Sequence, residues 1–379
     1  MTNEVQTQKQ IIYPGDTIGI IGEGFGGAQL VVTARSMGFR VVTYTTTEVN
    51  DMARYADFGM IGSLKDADKL RSFAERCKIV IYESEKVDLA TLNYISRYTS
   101  VPQGTDLLEM AQDRVVEKAA LQQMGVSVTT HATIVGLDDI YEAIQDMGYP
   151  SMLKPILKDP LHEQKMLIER QLDIPKANSL LNHGTYLLEP WDQDSREISI
   201  TVVKNIDGRE KFFPMVENIY QDNHLKETRV PVQLSSDQQN RIVESTSRIS
   251  NNVNYAGIFS VVFYVNKNGI TLKRLIPSIH RSHNVFDTAT NVSVYEELLR
   301  ALTGMRMIDI RLIEPSIMLN LNEEQLPQIR TQWLIKDNWH FKFYPRITNK
   351  RDPKRIGYVL AEGDNISALQ EQIDNTDVW

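Results

Sequence analysis

The chain has 379 residues, 42% apolar and 24% charged, which is enough for two or three domains with sizeable cores and too apolar for a disordered chain. A formal charge of −8 excludes nucleic-acid binding as the main role, because phosphate backbones need a basic face. The single cysteine, Cys77, excludes an intrachain disulfide; the polar first ten residues and the lack of a spanning apolar run predict no signal peptide, no membrane partner and a cytoplasmic location.

Residues 1–10 read as a polar lead. Thr17–Ile21 predicts a strand, Ala28–Met37 a helix and Arg40–Tyr44 a second strand, a βαβ opening. The turn between them, Gly22-Glu23-Gly24-Phe25-Gly26-Gly27, satisfies G-x-G-x-x-G. A dinucleotide fold also wants an acid at the end of the second strand. Here Val41–Thr47 reads VVTYTTT and the first acid is Glu48, so a structural turn is preferred to a dinucleotide site. Ile79–Tyr82 predicts a strand ending at the acidic pair Glu83 and Glu85, and Leu89–Arg97 the next helix. Asp106–Met124 reads as one helix, and Thr129–Val135 leads into a second α/β unit with a helix over Asp138–Met147 and a strand over Ser151–Lys154.

Antiparallel strands are expected from there to about residue 277. Ile258–Val265 and Ile270–Ile276 are β-branched runs flanking Asn266-Lys267-Asn268-Gly269, a hairpin signature. His280 and His283 form an H-x-x-H pair with no third ligand in view, so no metal site is expected there. Val294–Thr303 predicts a helix ahead of a small C-terminal unit.

Six segments fall in a familiar order and spacing: Gly19–Val42, Ile81–Glu85 (IYESE), Gln112–Lys118 (QDRVVEK), Phe213–Asn218 (FPMVEN), Tyr255-Ala256-Gly257 and Pro315–Asn320 (PSIMLN). On these the chain resembles, over nearly its whole length, the bacterial carboxyaminoimidazole ribonucleotide synthases, ATP-dependent ligases of purine synthesis. The resemblance implies an α/β ATP-grasp fold: a Rossmann-like pre-ATP-grasp domain over 1–105, an ATP-grasp domain over 106–312 and a small C-terminal domain over 313–379. It also implies a homodimer.

Carried over residue by residue, the resemblance gives nucleotide-binding positions at Arg114, Lys118, Lys154, Glu189 and Glu197. For Arg114 and Lys118 the competing reading is a solvated helix face, and for Glu197 a surface carboxylate at a strand start. Glu189, at the family's hinge, need offer only backbone groups to adenine. Substrate-binding positions fall at Gly24, Glu83, Glu85, His280, Ser282, Arg346, Lys354 and Arg355.

The catalytic positions are where the resemblance fails. In the family each strand of the hairpin carries an acid, because a nucleotide-bound magnesium needs hard oxygen ligands. Val262 and Arg274 stand there instead, so no catalytic residue is intact, no metal ligand remains and magnesium is not expected. The family's phosphate lid, Gly-Gly-Tyr-Asp-Gly-Lys-Gly-Gln, aligns with Lys158–Lys165 (KDPLHEQK), which has no glycine to aim backbone N–H groups at phosphates. Phe25, Tyr220, Ser278, Arg281 and Tyr358 replace a glutamine, a histidine, an arginine, an asparagine and a histidine of the family pattern.

Framework positions such as Ile18, Ile20, Phe213, Pro214, Tyr255 and Gly257 keep the pattern while the chemical positions lose it. The expectation is therefore an inactive paralogue that binds ATP weakly, with a nucleotide or phosphometabolite ligand, a protein partner, or both. The alternative is an active ligase with an altered metal and phosphate site.

Overall fold

The computed structural model describes residues 11–23, 26–48, 50–158, 164–192, 194–221, 224–267, 269–344 and 355–379. Gly24, Phe25, Arg346, Lys354 and lid residues 159–163 lie outside them. Among the described residues, no helix is long and apolar enough to cross a membrane.

The first sheet is parallel, in the order β3-β2-β1-β4, from β1 (Thr17–Ile21), β2 (Arg40–Thr45), β3 (Phe58–Ile61) and β4 (Ile79–Tyr82). Helical crossovers force the parallel arrangement, and Ile18, Ile20, Val41, Val80 and Ile81 are buried accordingly. The glycine turn after β1 is a packing device. Gly22 has φ +146°, and a Cβ there would come within 2.6 Å of the Glu83 carboxylate; at Gly26 it would meet Ile279 at 2.8 Å. The backbone approaches protein at both places, which supports the structural turn over a dinucleotide site.

A small antiparallel sheet follows, in the order β5-β8-β6-β7, from β5 (Ala132–Ile134), β6 (Ser151–Pro155), β7 (Met166–Ile168) and β8 (Tyr186–Pro190). The third sheet is the largest. It runs β14-β13-β9-β11-β12-β15-β17-β16, with β10 beside β9, and every pairing is antiparallel. Its strands are β9 (Arg196–Lys204), β10 (Glu210–Phe212), β11 (Val216–Gln221), β12 (His224–Val230), β13 (Gly257–Asn266), β14 (Gly269–Ile276), β15 (Ser316–Asn322), β16 (Trp339–Phe343) and β17 (Arg355–Glu362). Segment 313–379 has an apolar layer of its own around Ile317, Leu319, Trp339 and Leu369, yet its strands continue this sheet through the β12–β15 ladder.

Two helices differ from expectation. Asp106–Met124 is not one helix but two, Asp106–Gln112 and Arg114–Gln123, because Asp113 is extended and its carboxylate caps the N–H groups of Val115 and Val116 at 2.8 and 3.1 Å. Ser236–Asn252, in a stretch where strands were expected to dominate, is a 17-residue helix. Two of its four buried positions are Thr246 and Ser250, so the apolar periodicity that would betray it is half missing. Thr246 is tolerated because its hydroxyl donates to the Ile242 carbonyl at 2.7 Å.

Candidate functional site

The three sheets meet around a cleft of about 1840 Å³. Strand alternation sets its floor. On β9, Ile198, Ile200 and Val202 point into the core, which turns Glu197, Ser199 and Thr201 to the opposite face. On β13, Phe259, Val261, Phe263 and Val265 do the same and leave Ser260, Val262 and Tyr264 opposite.

Val262 and Arg274 are partners in the β13–β14 ladder, as a shared metal site would require, but neither has an oxygen to give. Val262 is 1% exposed. Immediately after this pair the register shifts, Phe263 pairing with Leu272, so Lys273 is an extra residue in a bulge. The bulge turns two consecutive cations, Lys273 and Arg274, into the same cleft. Lys273 forms an ion pair with Glu197 and lies over the rings of Tyr264 at 4.7 Å and Tyr220 at 5.6 Å. The Tyr220 ring is flanked by Glu197 and Arg274, and burial raises its hydroxyl pKa. Among the described residues Arg274 has no carboxylate within ion-pair distance, and its Nε finds no acceptor. A divalent cation does not fit here: it would meet a methyl group and a guanidinium.

The opposite wall is built from charge pairs. Glu189 holds Lys118 at 2.6 Å and Lys154 at 2.5 Å, one lysine on each carboxylate oxygen. Burial alone would raise its pKa, but the two ammonium groups outweigh that and hold the carboxyl down at about 2. Lys118 is only 4% exposed, so the solvated-face reading is wrong for it. The Glu189 side chain is committed to these two lysines. Glu197 is likewise buried rather than a surface carboxylate, and its Oε1 has no hydrogen-bond partner. Arg114 donates to the carbonyls of Pro155 and Leu157, tying its helix to the segment after β6.

Glu117 is a residue that sequence reasoning missed. It is 2% exposed and accepts from the Leu275 N–H and from Lys158 Nζ at 2.8 Å, locking β14 to the helix and to the start of the lid segment. No local signal marks it: Asp113 fixes where the helix starts, not which of its faces packs on β14.

Toward the first sheet, Glu83 is buried against Gly22 and Gly27, and Glu85 opens on the cleft. His283 is committed inside the fold, while His280 lines the cleft. His280 N–H donates to His283 Nδ1 at 3.1 Å, which leaves Nε2 of His283 as the protonated nitrogen, donating toward Ser260 Oγ at 2.7 Å and near Thr201 Oγ1 at 3.1 Å. Burial pushes the His283 pKa down to about 3. His280 Nδ1 accepts from the Ser282 N–H at 3.3 Å with the Ser282 hydroxyl at 2.8 Å; burial and then Arg274 hold its pKa well below the usual value. Tyr358 donates to Asp287 at 2.8 Å, and burial raises that carboxyl to about 6. Arg355 lines the cleft near the Leu225 carbonyl.

Two family domains match the chain: the ribonucleotide synthetase preATP-grasp domain over residues 16–112 and the ATP-grasp domain over residues 119–294. N5-carboxyaminoimidazole ribonucleotide synthase of Bacillus subtilis (strain 168) is 29% identical over 314 residues, 83% of each chain. The Staphylococcus aureus (strain COL) synthase is 25% identical over 362 residues, 95% of this chain and 96% of that one. An ADP complex of an N5-carboxyaminoimidazole ribonucleotide synthetase superposes with a TM-score of 0.91 at 27% identity, covering 98% of both chains. With both domains matched in order and the fold superposing over nearly the whole length, the chain belongs to the carboxyaminoimidazole ribonucleotide synthase family of ATP-grasp proteins.

Proposed function

We propose that this member of the family no longer carries out the ATP- and bicarbonate-dependent carboxylation of aminoimidazole ribonucleotide. It keeps the cleft as a cytoplasmic binding site for a nucleotide or phosphorylated metabolite, with a sensing or regulatory role. One observation supports this above the rest: the ladder pair at the metal positions is Val262 and Arg274. A buried valine and a cation cannot clamp magnesium, so phosphoryl activation loses the group that neutralises its developing charge. Arg114, Lys118 and Lys154 would face the phosphates, Glu197 the ribose, and magnesium is not required for the ligand.

Coverage of 95% of this chain and 96% of the Staphylococcus aureus synthase favours a second reading, a ligase that neutralises the phosphates by other means. Incubating the protein with magnesium, ATP, bicarbonate and aminoimidazole ribonucleotide, beside the Bacillus enzyme, separates the two. Expected is a rate at least ~10⁴-fold below that enzyme, from the joint loss of metal clamp and lid donors. Sustained turnover within tenfold or so of it establishes the ligase instead.

By analogy with the family the protein is also a homodimer. Light scattering at micromolar concentration is expected to give twice the 43.3 kDa chain mass. A monomer mass across that range removes this part.

A further inference from the structure

We infer that Arg274 and Lys273 form a built-in cation pair in the place of a divalent metal, so that the cleft takes a nucleoside di- or triphosphate in its metal-free form and divalent ions oppose binding. The inference rests on the reading of the cleft as a nucleotide site given above.

The β14 bulge is the enabling feature. In a regular strand Lys273 and Arg274 would face opposite sides, and only one would reach the cleft. The extra residue turns both inward. Lys273 is held in place by Glu197 and by two aromatic faces, and so is fixed rather than swinging in solvent.

Arg274 has donor capacity left over. Lys118, Lys154, Lys158 and Lys273 each have a carboxylate within 4 Å, whereas Arg274 has none among the described residues. Its Nε is buried with no acceptor. Tyr220 and Glu197, then Glu85 and Glu117, lie within range of its field, but Glu197 is paired with Lys273 and Glu117 is committed to Leu275 and Lys158. On the other side of Tyr220, Glu197 Oε1 is a buried acceptor with no donor. An unfilled donor and an unfilled acceptor on one wall fit a ligand that carries both an anionic oxygen and a free hydroxyl, as a ribose polyphosphate does.

The same arrangement disfavours the metal complex. Magnesium bound to the phosphates would withdraw negative charge from the ligand and bring two positive charges toward a guanidinium that cannot deprotonate. Val262 supplies no oxygen to complete its shell.

Equilibrium dialysis of the full chain with ATP and with ADP, in excess EDTA and in millimolar magnesium, tests this, with pyrophosphate and ribose 5-phosphate as partial probes. Expected is binding in EDTA at least about tenfold tighter than in magnesium, with both partial probes weaker than ADP. Arg274→Gln should lose at least about tenfold of the EDTA affinity and abolish the preference, while Arg274→Lys should keep most of both. Thermal melting of each variant shows whether it is folded, and Arg274→Lys keeps the test open if Arg274→Gln is not. Nucleotide binding that is tighter with magnesium, or indifferent to it, overturns the inference. So does unchanged EDTA affinity in a folded Arg274→Gln. Magnesium-favoured binding without product leaves the proposed loss of ligation standing, whereas no nucleotide binding in either buffer overturns the inference and the binding role together.

Discussion

Glu189→Leu should destabilise the protein by about 3–5 kcal/mol, close to half or more of what a typical domain has to spare. The substitution leaves Lys118 and Lys154 facing each other across the space their shared carboxylate now fills, both in a wall that excludes most water. Two buried ammonium groups without a counterion repel each other and lack their hydration. Glu189→Gln, which keeps the shape and one acceptor, should fall in between. The triple variant Glu189→Leu with Lys118→Met and Lys154→Met should recover most of the loss, since replacing a whole buried ion cluster by apolar groups is often neutral. Urea titration followed by circular dichroism measures all three, and a midpoint unchanged in Glu189→Leu refutes the hub role.

Acid adds a signature to this. The folded carboxyl is held at about 2 against an ordinary value of 4.5, so the unfolded chain binds the proton more readily than the native one. The contribution of Glu189 is then complete above about pH 4.5 and fades as pH falls through 2. The gap between parent and Glu189→Leu should stay constant near neutrality and narrow as pH falls from about 4.5 through 2.

The second large effect is expected at the ladder pair Val262 and Arg274. Val262→Glu with Arg274→Glu rebuilds both oxygen ligands, yet should give no product and should cost about 3 kcal/mol without metal. The cost follows from placing a carboxylate where valine is 1% exposed and from setting a second carboxylate beside Glu197 and Tyr220. Magnesium with ATP should return part of it, read as a metal-dependent rise in melting temperature absent from the parent. Product stays absent because Lys158–Lys165 still has no glycine and Ser278 still lacks the guanidinium of the family pattern. Positioning and electrostatic stabilisation work together, so one repaired part yields little. Ready formation of product by this variant, read by mass spectrometry, would show that the lid and substrate changes are cosmetic.

The hairpin, the glycine turn and the residue types in the cleft were legible in the sequence because each has a local cause. Asn-Gly marks the β13–β14 turn, and the β-branched runs beside it declare strands. The β14 bulge had no such mark: which residue is extra depends on how β13 pairs with both β9 and β14, separated by tens of residues. Glu117 carries no local mark and Lys118 admits a solvated-face alternative, since local charge does not tell which face packs on β14. His280 and His283 have the spacing of metal ligands but no third ligand in sequence, and the hydroxyls of Ser260 and Thr201, distant in sequence, show where Nε2 of His283 is spent.

The ladder joining β12 to β15 sets the order in which the chain can be completed. Val230 pairs with Ser316, so when β12 leaves the ribosome its outer edge has no partner until the whole stretch through the hairpin and the helix Val294–Thr303 has followed it. During that interval β12 offers an open edge, the kind of surface on which nascent chains join to one another. The charged run of β12, with Lys226, Glu227 and Arg229, makes that edge a poor template for a second copy while it waits.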